Sequence, residues 1–437
     1  MEWASKISHT YVIKDDDVQS YLDKCNLPKD NNNIELDKAF VHQKGISESP
    51  IKYIITIDGG YSEVNVKKNF PSAKLAFFQF GVLLFNVEDL NNISQQPFIS
   101  PEDMSKFKKI ERIKFTMPVQ NITYENNSSL TNSIRKTIYD FFMQNRENTS
   151  YMETLYWLAF SKYDKNQNIS TYKLSSHPNS EEKNIILDTT KMTKDYKFNH
   201  IDGDLYLTDI FRLHEAVDDE LGAGGVLGYL TTLFEQIILA HQIKTILERQ
   251  PSYLNEILFI KDGPLAFFGQ TANIHKLFRN MTNYLFKKHN LFLAGLEKSG
   301  SFTEHANEII KNENLLPKNY YILLSNKHIY THILPGNPDE PKPYARTSYY
   351  GAKIIFHSNN GYVYVITLPV ANENVVLNPE KKDFKNIDII LSNLESLKCD
   401  MYDNSLVPIA LVNQLVSLSN HPSSILLEKF SKKSLFS

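Results

Sequence analysis

The chain has 437 residues and a net charge of −3, and 42% of its residues are hydrophobic while 22% are charged. These values fit a globular protein with a large core, and they exclude a strong overall positive charge as the basis of nucleic-acid binding. The two cysteines, Cys25 and Cys399, lack the spacing of a zinc site or a disulfide framework. No apolar stretch is long enough to span a membrane and no signal sequence is evident, so we expect a cytoplasmic protein without membrane contact.

The first predicted elements are an N-terminal appendage and two adjacent strands. Residues 1–48 are polar and charge-mixed, and we expect them to be helical. The β-branched run at 51–58 predicts a strand that ends on Asp58. The aromatic run at 74–88 predicts a longer strand, with a bulge or a close backbone approach at Gly81.

A polar stretch then interrupts the pattern. Residues 89–205 contain Asn- and Ser-rich connectors around two predicted helices, at about 130–147 and about 151–162. We interpret this stretch as an insertion within one domain that covers 49–437.

The second half of the chain alternates strands with helices. An amphipathic pattern predicts a helix at 226–250, and the strand predicted at 257–263 reaches Asp262 followed by glycine. Further elements are predicted as a helix at 270–288, strands at 290–300, 320–326, 351–358 and 362–369, and a helix at 405–419. Together with the long early strands, this alternation predicts an α/β fold with a mixed sheet flanked by helices. The phosphate-loop patterns GxGxxG and GxxxxGK are absent, which argues against nucleotide binding of those kinds.

Asp58 and Asp262 each end an apolar run and each precede glycine. One interpretation is two unrelated turns, where Asp and Gly are favoured for local hydrogen bonding and positive φ. The other places the two strands side by side, so that both carboxylates need a cation, and hard ions such as Mg²⁺ and Mn²⁺ prefer such oxygen ligands. In that case Gly59 and Gly60 leave room for the cation and a phosphate. The residues alone leave both interpretations open.

A third carboxylate is expected on the helix predicted at 226–250. Glu235 lies opposite the most apolar stripe and Glu248 lies beside an arginine near the helix end, and periodicity does not choose between them. Lys298 ends a later strand, where an ammonium could bind the scissile phosphate or stabilise charge in the transition state. An exposed lysine at a strand end is the alternative.

The order of these motifs resembles the NurA nuclease family, the partner of HerA-type hexameric DNA-translocating ATPases. The matching segments are IDGGYS at 57–62, YLTTLFEQIILAHQI at 229–243, FIKDGPLAFFG at 259–269, LAGLEKSGS at 293–301 and YDNSLVPIALVNQLVSLS at 402–419. The resemblance covers about 50–90 and 205–420. It favours Glu235 over Glu248 as the third acid.

The resemblance implies a ribonuclease-H-like fold and a homodimer that encloses a DNA channel. It also implies a Mn²⁺- or Mg²⁺-dependent deoxyribonuclease, exo- or endonucleolytic, that receives DNA from a HerA-like ATPase. The cellular setting would be DNA end resection or anti-phage defence, and the divergent insertion favours defence. Asp58, Glu235 and Asp262 would be catalytic metal ligands, and Lys298 would be catalytic without binding the metal.

Two positions depart from the family pattern. Pro264 stands where serine is usual, and Val412-Asn413 stands where many members have Ala-His. Asparagine can ligate a metal or contact phosphate, but it cannot do acid–base chemistry near neutral pH. The alternative function is therefore a catalytically weak or inactive DNA-binding or scaffold subunit of a HerA-like complex. Arg279, Arg346 and Asn413 are candidate DNA contacts, although both arginines also fit ordinary surface positions.

Overall fold

The structure is a computed structural model. It describes residues 12–25, 34–67, 69, 71–89, 109–146, 148–312, 314–398, 406–418 and 421–436. Cys25 is exposed with a free thiol, and Cys399 lies outside the described residues. None of the described helices is long and apolar enough to cross a membrane.

Two long antiparallel strands, β2 (Tyr53–Lys67) and β3 (Ala73–Asn86), form the centre of the fold. The β-branched run predicted the start of β2 correctly, but the strand does not end at Asp58. Asp58, Gly59 and Gly60 continue in the ladder and pair with residues of β3. The tight-turn interpretation is therefore wrong, because pairing along β3 keeps the two glycines extended.

Within the described residues, one nine-stranded sheet has the order β1-β11-β12-β13-β10-β9-β2-β3-β4. Its other strands are β1 (Val41–Gln43), β4 (Lys109–Gln120), β9 (Ile257–Asp262), β10 (Phe292–Glu297), β11 (Tyr320–Leu323), β12 (Gly351–His357) and β13 (Val363–Pro369). β9 pairs in parallel with β2 and β10, and the remaining pairs are antiparallel. The predicted mixed α/β sheet is confirmed.

Two small hairpins, ten α-helices and several short 3₁₀ helices complete the described structure. The hairpins are β5 (Thr171–Ser176) with β6 (Lys183–Asp188), and β7 (Lys197–Phe198) with β8 (Leu205–Tyr206). The helices are α1 (Asp16–Leu22), α2 (Leu130–Met143), α3 (Tyr151–Ala159), α4 (Leu227–Arg249), α5 (His275–His289), α6 (Ser301–Ile310), α7 (Asn326–His332), α8 (Ile387–Ser396), α9 (Val407–Val416) and α10 (His421–Phe436).

A hydrophobic core lies on each face of the sheet. The first contains Ile57 of β2 and Phe80 of β3 with helices α2, α3, α4 and α5. The second contains Ile54 of β2 with helices α6, α8 and α9. Since successive side chains of a strand point to opposite faces, neighbouring residues of β2 contribute to different cores.

The stretch predicted as an insertion packs onto the sheet where the structure describes it. Its strand β4 pairs with β3 at one edge, and its helices α2 and α3 share the first core with α4. At the opposite edge, β1 pairs with β11, so the end of the segment predicted as an appendage also joins the sheet. The domain boundaries stay predictions.

Candidate metal centre

Two neighbouring strands bring Asp58 and Asp262 to one face of the sheet. The parallel pairing of β2 with β9 runs to the register pair Ile57 and Lys261, and the two aspartates follow directly. Because side chains alternate along a strand, Asp58 and Asp262 share the face opposite to Ile57 and Lys261. Cα atoms one step apart across a sheet are about 5 Å apart, so the two carboxylates are close neighbours. β9 ends at Asp262 and Gly263 turns away with φ +86°, while β2 continues.

Lys298 and Asn413 reach the same two aspartates. Lys298, just after β10, forms an ion pair with Asp262 through Nζ and Oδ2 at 2.5 Å. In the amide orientation that matches donors to acceptors, Asn413 of α9 donates to Asp58 Oδ2 and accepts from Lys298 Nζ at 2.7 Å. The asparagine that replaces the family's usual histidine therefore bridges a carboxylate and the lysine.

Glu235 approaches from the opposite face, on helix α4. Its Oε1 accepts a hydrogen bond from the Gly59 backbone N–H at 3.1 Å, and its Oε2 lies 3.2 Å from Lys261 Nζ. Both Glu235 and Lys261 are buried, although Glu235 lies opposite the most apolar stripe of the helix. α4 packs against the sheet, and its Glu235 side chain is buried by contacts with β2 and β9.

The glycines after Asp58 make room for protein atoms. A Cβ at Gly59 would lie 2.5 Å from the Phe80 ring and 3.2 Å from Glu235 Oε1. A Cβ at Gly60 would lie 3.0 Å from the Val416 carbonyl oxygen. The prediction that these glycines leave open space for a cation and phosphate is therefore wrong for both positions. Gly81, opposite Asp58, likewise allows α9 to approach β3, and the register is continuous there without the alternative bulge.

Negative charge exceeds positive charge in this cluster. Three carboxylates face two lysines, Lys261 and Lys298, and Asn413 adds no charge. Burial, followed by the neighbouring Glu235 and Asp262 carboxylates, raises the pKa of Asp58 to about 8. Burial raises the pKa of Glu235 as well, and the nearby Lys261 ammonium opposes that rise.

The donor set fits a hard divalent cation. Carboxylate oxygens are the ligands that Mg²⁺ and Mn²⁺ prefer, and a bound cation would offset the excess negative charge that raises the Asp58 pKa. The three carboxylates do not form a compact triad, because Lys261 holds the Glu235 side chain on its own face of the sheet. Asp58 and Asp262 are thus the pair most directly arranged to hold an ion.

The remaining predicted site residues lie elsewhere. Glu248 is exposed near the end of α4 and pairs with Lys244 at 3.0 Å, so the structure does not bring it to the aspartates. Arg279 is buried, with its guanidinium bound to Glu373 at 2.7 Å and to the Tyr349 carbonyl oxygen at 2.5 Å. These contacts are those of a structural ion pair and contradict the prediction of a free surface arginine for DNA. Arg346 is exposed in the loop before β12.

Lys261 is the residue that sequence reasoning missed. It stands in the apolar run ILFIKD, where a lysine next to the predicted metal-binding aspartate is itself unusual. A lysine in that run indicates a buried ion pair, but the sequence does not identify Glu235 as its partner, because the pairing depends on how α4 packs on the sheet.

A second group lies apart from this centre, in the loops around β6 and β7. Among the described residues, Glu182, His200 and Asp202 form the one set of three acidic, histidine or cysteine side chains whose ligand atoms all lie within 4.8 Å. The Asp202 backbone N–H donates to His200 Nδ1 at 3.2 Å, so Nε2 carries the hydrogen and donates to Glu182 at 3.0 Å. Both ring nitrogens are thereby engaged, and Glu182 and Asp202 are exposed.

Comparison with known proteins gives distant structural matches only. No family model and no curated protein matches the chain. The chain is similar to the NurA nuclease from Sulfolobus solfataricus at 9% identity and a TM-score of 0.33, over 99% of this chain and 97% of that one. A second NurA structure matches at 10% identity and a TM-score of 0.29, covering 96% and 95% of the two chains. A structure of NurA with manganese matches at 10% identity and a TM-score of 0.29, covering 87% of this chain and 88% of that one. The structural similarity extends over nearly the whole chain, at values too low to establish a function.

Proposed function

We propose that this chain is a divalent-metal-dependent deoxyribonuclease that hydrolyses phosphodiester bonds of DNA. One observation carries the proposal: Asp58 and Asp262, far apart in the sequence, lie side by side at the end of β9 with Lys298 beside them and Glu235 on the other face of the sheet. A phosphodiester nuclease needs such carboxylates for its cation and a lysine for the phosphate. The choice of DNA rests on the NurA-like order of the motifs.

The side chains of the site have different roles in the proposed reaction. When bound by these carboxylates, Mn²⁺ or Mg²⁺ would activate water and offset charge on the phosphate. Lys298, about a quarter exposed, can turn its ammonium from Asp262 to a phosphate oxygen and stabilise the transition state. Asn413 orients both Asp58 and Lys298. Since burial and neighbouring carboxylates raise the pKa of Asp58 to about 8, metal binding must displace its proton, and affinity should rise with pH.

The wider setting follows from the resemblance of the motifs. It supports a ribonuclease-H-like arrangement in which the strand pair β2 and β9 presents the acids and α4 supplies the glutamate. It also supports a homodimer around DNA, a HerA-like hexameric ATPase as partner, and a role in anti-phage defence or DNA end resection.

Cleavage of linear duplex DNA in Mn²⁺ or Mg²⁺ tests the proposal, with EDTA as the metal-free control. Asp58→Asn and Asp262→Asn should each abolish cleavage, because each removes the negative charge of a metal ligand while keeping the shape of the side chain. Glu248→Gln, which changes an exposed acid of α4, should cleave at the wild-type rate. Wild-type cleavage by both aspartate variants would contradict the assignment of the site. RNA of the same sequence would show whether the substrate is DNA.

Asn413 favours one alternative, a catalytically weak DNA-binding or scaffold subunit. Its amide occupies the position between Asp58 and Lys298, where it cannot transfer a proton near neutral pH. DNA binding without cleavage, both alone and with a HerA-like ATPase, would support this function over the nuclease.

A further inference from the structure

Lys261 is a buried cation within the candidate metal centre. It is the second-last residue of β9 and is 3% exposed. Its ammonium lies 3.2 Å from Glu235 Oε2 and donates to the Asp262 carbonyl oxygen at 2.5 Å. Register places its side chain on the face of Ile57, away from Asp58. The lysine is therefore fixed between α4 and the end of β9.

These contacts engage both oxygens of Glu235. Oε2 faces Lys261, and Oε1 accepts from the Gly59 N–H, directly after Asp58 in β2. The pairing of β2 with β9 stops at Ile57, so Glu235 supplies the hydrogen-bond acceptor for Gly59 beyond the end of β9. Glu235 and Lys261 thus stabilise the strand that presents Asp58, and the Lys261 ammonium occupies the position at Oε2 that a cation would take.

Charge balance also limits the number of divalent ions. The three carboxylates carry one more charge than Lys261 and Lys298 balance. One divalent ion together with one phosphodiester would make the group neutral. A second ion at Glu235 would place two further positive charges beside the buried Lys261 ammonium, which is strongly unfavourable.

We infer that the Lys261 ammonium replaces a second divalent ion at Glu235, so that each chain binds one ion, held by Asp58 and Asp262. Lys261 is then a positioning residue, and Glu235 acts through Gly59. The inference rests on the proposed function, because it concerns the cation that the nuclease would use. It adds to the proposed function that each chain binds one ion and that Lys261 sets this number.

Titration of metal-free protein with MnCl₂ by isothermal calorimetry, with electron paramagnetic resonance to count free Mn²⁺, tests the inference without an activity assay. The wild type should bind one ion per chain. Lys261→Met frees Glu235 and should bind two, whereas Lys261→Arg keeps the cation and should bind one. Lys244→Met is the matched control, since it removes another buried lysine of an ion pair, on α4, and should bind one.

Glu235→Gln gives a second measurement that does not depend on the folding of Lys261→Met. It should still bind one ion, with a dissociation constant within about fivefold of the wild type. Two ions in the wild type, one ion in folded Lys261→Met, or loss of binding in Glu235→Gln would each overturn the inference while leaving the nuclease proposal intact. A wild type that binds no Mn²⁺ would overturn the proposed function and the inference together.

Discussion

Alanine at position 59 should destabilise the protein, because its Cβ would lie 2.5 Å from the Phe80 ring. Phe80 is fully buried and its ring lies 5.7 Å from the ring of Phe234 on α4, centroid to centroid. The ring therefore cannot move away without disturbing the contact between α4 and the sheet. Overpacking of this kind costs about 1–3 kcal/mol.

The cost can be converted into a shift in melting temperature. An unfolding entropy of ~2.1 cal/mol/K per residue over this chain gives ~0.9 kcal/mol/K, so Gly59→Ala should lower Tm by ~1–3 °C. Gly228→Ala is the matched control, because a Cβ there meets no atom within 4 Å and the residue lies in α4. Alanine is the better helix former by up to ~1 kcal/mol, so Gly228→Ala should raise Tm by up to ~1 °C.

Differential scanning calorimetry in EDTA resolves shifts of this size and removes any contribution from bound metal. A Tm for Gly59→Ala equal to or above that of the wild type would refute the reasoning. It would mean that Phe80 does not fill the space beside Gly59.

Three further predictions concern the acids, the buried arginine and the histidines. Glu235→Gln should lower the cleavage rate by about 10²-fold, because loss of the ion pair with Lys261 shifts Gly59 and the neighbouring Asp58 slightly, whereas Glu248→Gln should change the rate less than twofold in the same assay. Arg279→Gln should lower the unfolding free energy by about 1–3 kcal/mol in a denaturant titration without weakening DNA binding, and weaker binding at unchanged stability would contradict its structural role. Burial lowers the pKa of His305 to about 4 and that of His328 to about 3, so both stay neutral when the unfolded chain takes up protons below pH ~6.5. Stability should therefore fall from pH ~6.5 towards ~4, by about 1.4 kcal/mol per pH unit for each histidine, and Tm in His328→Leu should depend less on pH.

The position of the two aspartates could be anticipated from the sequence because its cause is local. Each lies at the end of an apolar run before glycine, and parallel strands bring such ends to one edge of a sheet. The continuation of β2 beyond Asp58 could not be anticipated in this way. The Gly-Gly pair is a local turn signal, and it is overridden by pairing with β3, which follows about twenty residues later.

Glu235 and Lys261 show why the rest of the centre needed the structure. Helical periodicity places Glu235 opposite the most apolar stripe of α4 and does not show what covers that side. In the structure the sheet covers the side of α4 that carries Glu235, because this side chain contacts Gly59 of β2 and Lys261 of β9. A glutamate buried there must find a cation, and Lys261 reaches it from β9. The pair therefore depends on α4, β2 and β9 at once, and the packing of the helix on the sheet that brings them together is not specified by any local pattern.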